Sequence, residues 1–180
     1  MLWEMAAGLN NEYRLLVQGE EDADWSPFFR TNGEPLAWQV RPKVEPFTDP
    51  RRKKQKQRGD VEYITWGALV LNQRAHSALR DKFLPFGQFL ELDCLGETCY
   101  FYNVTNIVAV VDYAASGKTG AAVTQPRFTE SAIPTGFCIF KDKLTVKGAI
   151  YTNDHTKAVL TEILMKEKLT GLYFIPAGSL

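Results

Sequence analysis

The chain has 180 residues, a mass of 20.3 kDa, 45% hydrophobic and 23% charged residues, and 21 basic against 21 acidic side chains. This composition excludes a collagenous, coiled-coil or wholly disordered chain, and the zero net charge excludes a global field that would gather nucleic acid or anionic lipid. The longest apolar stretches, at 68–71 and 107–111, are too short to cross a bilayer as a helix, so no membrane partner is expected.

In chain order, the first ten residues carry Glu4 and no basic run, so no signal peptide is expected and the protein reads as cytoplasmic. Residues 13–18 alternate as a strand would. The chain then passes through an acidic turn and a segment punctuated by Pro27, Gly33, Pro35, Pro42, Pro46 and Pro50. Residues 1–60 therefore read as a loop-rich third lying over a core formed by 61–176, the whole of 1–180 making one domain.

Residues 61–71 are rich in β-formers around Gly67, and Asn72 is placed to cap a helix over 73–83 whose Ala75, Ala78, Leu79 and Phe83 share a face. A hairpin follows, 88–95 and 98–104 about a turn at Gly96-Glu97, in which Cys94 would oppose Cys99. Leu90, Leu92, Cys94, Cys99 and Phe101 then share a face expected to be core, with Glu91, Asp93, Tyr100 and Tyr102 on the other. Another apolar run lies at 107–111, and further strands are expected at 137–140, 144–151 and 172–175, with a glycine-rich surface loop at 116–124. A second helix starts at Asn153 or Asp154 and stops at Gly171. The fold class that results is α+β: a mainly antiparallel sheet with two principal helices packed against it.

The candidate chemistry is sparse. Ser116-Gly117-Lys118-Thr119 resembles the end of a phosphate-binding loop, but Asp112 stands where the first glycine of that motif belongs. Cys94 and Cys99 lack metal-knuckle spacing, and His76 and His155 sit apart on separate helices; no metal or cofactor is expected. Cys138 falls in an apolar strand, no nucleophile elbow occurs, and Glu91 with Asp93 suits a solvated face, so no catalytic residue is assigned. A small enzyme using separated carboxylates remains an alternative.

Two charged segments stand out. Residues 51–58 hold six cations and no acid, leaving the rest of the chain at −6. A solvated loop is the plainer reading, and a nucleic-acid-binding segment the functional alternative. Glu20, Glu21, Asp22 and Asp24 precede Trp25, an acidic rim beside an aromatic anchor.

The order of several short motifs resembles the immunity protein 11 family. It runs from Leu69-Val70-Leu71-Asn72-Gln73-Arg74-Ala75 and Leu79, through Tyr100-Phe101-Tyr102-Asn103-Val104, Val111-Asp112 with Ser116, and Ile139-Phe140-Lys141, to Leu169-Thr170-Gly171-Leu172-Tyr173-Phe174. The resemblance covers about residues 60–176, and the basic run departs from it. It implies a bacterial α+β protein that binds and neutralises a cognate toxin domain without catalysis. On that reading Trp25, Trp38 and Tyr102 are candidate contacts, with Glu20, Glu21, Asp22 and Asp24 as a rim facing a basic toxin.

Overall fold

A computed structural model describes residues 1–7, 12–19, 28–120, 122–145 and 148–178. The described residues form twelve strands and two α-helices in an α+β arrangement whose pairings are antiparallel but for one between named strands.

Strands β1 (Leu2–Ala7), β10 (Ile139–Phe140), β11 (Ile150–Asn153) and β12 (Leu172–Pro176) make one sheet, ordered β10-β11-β1-β12. A second sheet has β2 (Leu16–Gln18), β3 (Lys43–Pro46), β4 (Val61–Glu62), β5 (Leu69–Leu71), β6 (Gly87–Cys94) and β7 (Glu97–Val104) in the order β2-β3-β6-β7-β5-β4. Its one parallel pairing, β3 on β6, ties the first third of the chain to the central hairpin. A small hairpin, β8 (Gly117–Thr119) with β9 (Ala122–Gln125), occupies the stretch expected as a loop.

Helix α1 (Gln73–Phe83) starts where the Asn72 side chain accepts from the Ala75 amide at 2.9 Å, and it buries Ala75, Leu79 and Phe83. Fully burying Leu79 and Phe83 contributes about 1.5–3 kcal/mol each. Helix α2 (Asp154–Glu167) is capped in the same way by Asn153 on the Thr156 amide, 2.8 Å. It ends not at Gly171 but at Lys168, whose φ of 50° is the left-handed stop, three residues earlier than the glycine implied. Gly171 serves a different purpose: a Cβ there would lie 2.0 Å from the Val61 carbonyl oxygen, so only glycine lets β4 and the α2–β12 connection approach.

The hairpin differs from expectation in register. Its turn is Leu95-Gly96, both at positive φ, and Cys94 pairs with Glu97 while Cys99 pairs with Leu92. The partner of each residue moves by two, which conserves the face, so Leu90, Leu92, Cys94, Cys99 and Phe101 do share one side. The opposite side is covered only in part: Glu91 stays exposed there, as a solvated face requires. Tyr102 lies there fully buried among Leu79, Phe83 and Val104, because α1 covers it. Around Tyr102 both faces of this sheet are therefore core.

Residues 107–111 make only bridges, Ile107 to Lys141 and Val111 to Phe128. They are held instead by the buried Asp142 carboxylate, which accepts from the Val110 and Val111 amides at 2.7 and 2.8 Å. Leu144 lies in a turn, and the strand expected over 144–151 begins at Ile150. The largest apolar cluster takes Met5 and Ile150 from the first sheet, Leu69 and Tyr102 from the second, and Leu79 and Leu160 from the two helices. Among the described residues no helix is long and apolar enough to cross a membrane.

Candidate binding surface

Two surface regions gather exposed aromatic and cationic side chains, and each is built on a polar anchor that reaches into the core.

The first region surrounds Trp66, which stands between β4 and β5 just before the left-handed Gly67 and is 66% exposed. Its ring packs edge-on to Tyr63 at 5.7 Å. It borders an open concavity of about 490 Å³ that also includes Phe29, Arg30, Thr31, Asn32 and Thr65. The loop on the far wall is fixed at Thr31, whose hydroxyl donates to the Trp66 carbonyl at 3.1 Å and whose own carbonyl accepts from Lys141 Nζ at 2.8 Å. Lys141 is fully buried, and desolvation pulls its pKa from 10.5 down to about 7. The aromatic wall continues inward through Phe29, 5.5 Å from Phe101, and Trp38, 5.5 Å from the same ring.

The second region is the basic segment. Rather than standing free, it is anchored at its end by Arg58. The Arg58 guanidinium donates from Nε and Nη2 to the two carboxylate oxygens of Glu62 at 3.0 and 2.8 Å, and from Nη1 to Glu97 at 3.3 Å. The Glu62 side chain is wholly buried, so this bidentate pair lies at the edge of the core. Burial raises the Glu62 carboxyl above its ordinary range, opposed by the bond from Arg58. Arg58 Nη2 also reaches Cys99 Sγ at 3.5 Å. The Cys94 thiol, hydrogen-bonded to the free thiol of Cys99, holds the latter below the ordinary thiol range, assisted by Arg58, whereas the same hydrogen bond and burial push Cys94 up. Cys94 and Cys99 are diagonal neighbours, not the facing pair the expected register implied.

The expected contact residues separate on inspection. Glu20, Glu21, Asp22, Asp24 and Trp25 lie outside the described residues. Trp38 is half-buried, donates from Nε1 to the Phe28 carbonyl at 3.2 Å, and braces the 28–38 loop against the sheet. Tyr102 is corrected: it is fully buried, with its hydroxyl 2.8 Å from the Phe83 carbonyl, so it is a core residue that cannot meet a partner in this conformation. His76 stacks on Tyr100 at 3.6 Å and meets Phe89 edge-on, on the sheet face opposite Cys94 and Cys99. Its pKa is lowered by desolvation and then by Arg80. Among the described residues no three His, Cys, Asp or Glu side chains gather as a metal site.

Sequence reasoning missed Trp66, Lys141 and the pairing of Arg58, itself within the basic run, with Glu62. Only Trp66 carried a usable signal, a tryptophan beside a turn glycine, where no neighbouring strand is placed to cover it. No protein-family model and no curated protein matches the chain.

Proposed function

We propose that the protein is an immunity protein that binds a cognate bacterial toxin domain and neutralises it without catalysis, using the Trp66 surface as its central contact. The observation that carries the reading is Trp66 itself: a large aromatic side chain, 66% exposed, beside an open concavity with Arg30 on its border. Tryptophan and arginine are the residue types that dominate binding energy at protein interfaces, where a few anchors in a well-packed centre outweigh the remaining contacts. The Thr31 and Lys141 bonds fix the neighbouring loop before any partner arrives, which lowers the entropy lost on association. The motif order between residues 60 and 176 supports the toxin as the class of partner. A cytoplasmic site of action belongs to the same proposal.

The test is calorimetry with the catalytically inactivated toxin domain encoded beside this chain. The proposal expects a one-to-one complex that Trp66→Ala weakens by about 2 kcal/mol or more, since that is the threshold of a hot spot. An unaltered affinity would remove Trp66 from the interface, and absence of any complex would remove the immunity reading.

A further inference from the structure

We infer that segment 51–58 and the strands beneath it form a second docking surface, which takes an acidic polypeptide segment that inserts one apolar side chain. The segment folds back on residues 13–15 and 47–49 and closes a cavity of about 130 Å³, lined among others by Tyr13, Leu15, Phe47, Arg52 and Lys56. Pockets that enclose a drug-sized molecule run roughly 300–1,000 Å³. The cavity is therefore sized for a single projecting group, and its apolar flanks, Phe47 at 47% and Leu15 at 39% exposure, suit a hydrocarbon one.

The electrostatics fix the sign of the partner. Arg14, Arg51, Arg52, Lys53, Lys54 and Lys56 lie on the lining and on the segment that closes it, with one lining carboxylate, Asp49. That carboxylate is already engaged: Oδ1 accepts from the Arg51 amide at 3.0 Å and Oδ2 from Arg52 Nε at 3.2 Å. Arg14 is held by main-chain carbonyls and a hydroxyl instead, donating from Nε to Phe47 at 3.0 Å and from Nη2 to Pro46 at 2.9 Å and to Thr48 Oγ1 at 2.7 Å. It makes no ion pair among the described residues, so its charge, which also acts on the buried Glu62, can meet a ligand. Among the described residues Arg51, Lys53, Lys54 and Lys56 make no ion pair.

The loop presents these cations in a fixed frame. The Gln55 side chain closes it by accepting from the Asp49 amide at 3.0 Å and donating to the Asp49 carbonyl at 2.9 Å, and Arg58 anchors its end on Glu62.

An acidic polypeptide suits this surface better than a nucleic acid. Single strands bind on successive exposed ring faces, whereas here Phe47 is half exposed and Tyr13 is partly covered. A long polyanion would also run past the patch onto a chain that is otherwise at −6, while a short acidic segment stays within the roughly 8 Å over which the patch acts at physiological salt. The surface is separate from the Trp66 concavity in its lining residues, and the inference stands whether or not the partner of that concavity is a toxin.

The probe is a labelled, acetylated glutamate-rich peptide with one central phenylalanine, titrated against the full chain by fluorescence anisotropy. Controls are the same peptide with alanine at its centre and an oligodeoxythymidine of similar charge. Binding should weaken roughly tenfold on raising salt from about 50 to about 300 mM, as exposed charge pairs are screened. Phe47→Ala, or alanine at the peptide centre, should each cost roughly tenfold, the loss expected of a buried anchor. Lys53→Glu with Lys54→Glu should abolish binding, and Trp66→Ala should leave it unchanged. All four positions are exposed, so none of these variants removes core packing. No binding at low salt, indifference to Phe47→Ala or to the charge reversal, loss on Trp66→Ala, or tighter binding of the oligonucleotide would each overturn the inference.

Discussion

Replacing Arg58 by methionine would keep most of the apolar stem while removing the cation that faces a fully buried Glu62. Breaking a buried ion pair from one side costs about 3–5 kcal/mol, because the remaining charge has lost its compensation. The Arg58 side chain is itself 28% exposed and water reaches it, which argues for the lower end, about 3 kcal/mol. The loss should depend on pH. Burial already raises the folded-state pKa of Glu62 above 4.5, and Arg58 is the group that most opposes the rise, with a smaller contribution from Arg14, so its removal drives the pKa higher. A carboxyl with a raised folded pKa binds its proton more tightly in the native state, so its contribution is most favourable below the unfolded pKa and is lost as pH rises through the folded one. The deficit of Arg58→Met relative to wild type should therefore widen between about pH 5 and pH 8, at up to 1.4 kcal/mol per unit. Urea unfolding followed by tryptophan fluorescence at both pH values measures it. The double variant Arg58→Met with Glu62→Leu should recover most of the loss, as buried pairs replaced by apolar side chains often do. A deficit below about 1 kcal/mol at both pH values, or a double variant no better than the single, would refute the assignment of this pair as a buried anchor.

Three further outcomes follow from single contacts. Leu95, 72% exposed and at φ 56°, occupies a left-handed turn position, so Leu95→Asn should stabilise the hairpin by about 1 kcal/mol, read as a higher urea midpoint with unchanged slope. Tyr102→Phe should lose about 1–2 kcal/mol in the same assay by orphaning the Phe83 carbonyl, and a neutral result would show that another donor replaces the hydroxyl. Lys141 has its pKa lowered by desolvation to about 7 from 10.5, so the unfolded chain binds the extra proton between those values, and stability should rise with pH across that window. Lys141→Met should flatten that rise in pH-dependent melting, and an unchanged slope would assign it to other groups.

Local signals carried much of the fold. Asn72 and Asn153 each sit before a periodic apolar run, and both cap the helix that follows because a side-chain oxygen reaching the third amide is a short-range event. Tyr102 could not be placed from its own strand. Alternation separated its face correctly, but whether that face meets water depends on α1 folding back over it, a contact made across the chain. Strand β1 was missed for a related reason. Its sequence lacks alternation, and it is ordered by pairing with β11 and β12, whose residues lie more than 140 positions away. The hairpin register moved because Leu95 accepts a left-handed conformation that sequence preference would assign to asparagine or glycine. At the candidate surfaces, the basic run was visible as charge, whereas Phe47 and Tyr13 join it only through the turn that Gln55 closes.

The most direct test of the immunity proposal is growth of cells expressing a candidate toxin domain from a gene adjacent to this chain's, with and without this chain. Co-expression of the wild-type chain should restore growth, and Trp66→Ala, at matched abundance, should restore it incompletely or not at all. Arrest that persists in the presence of abundant, folded wild-type protein would contradict the immunity reading.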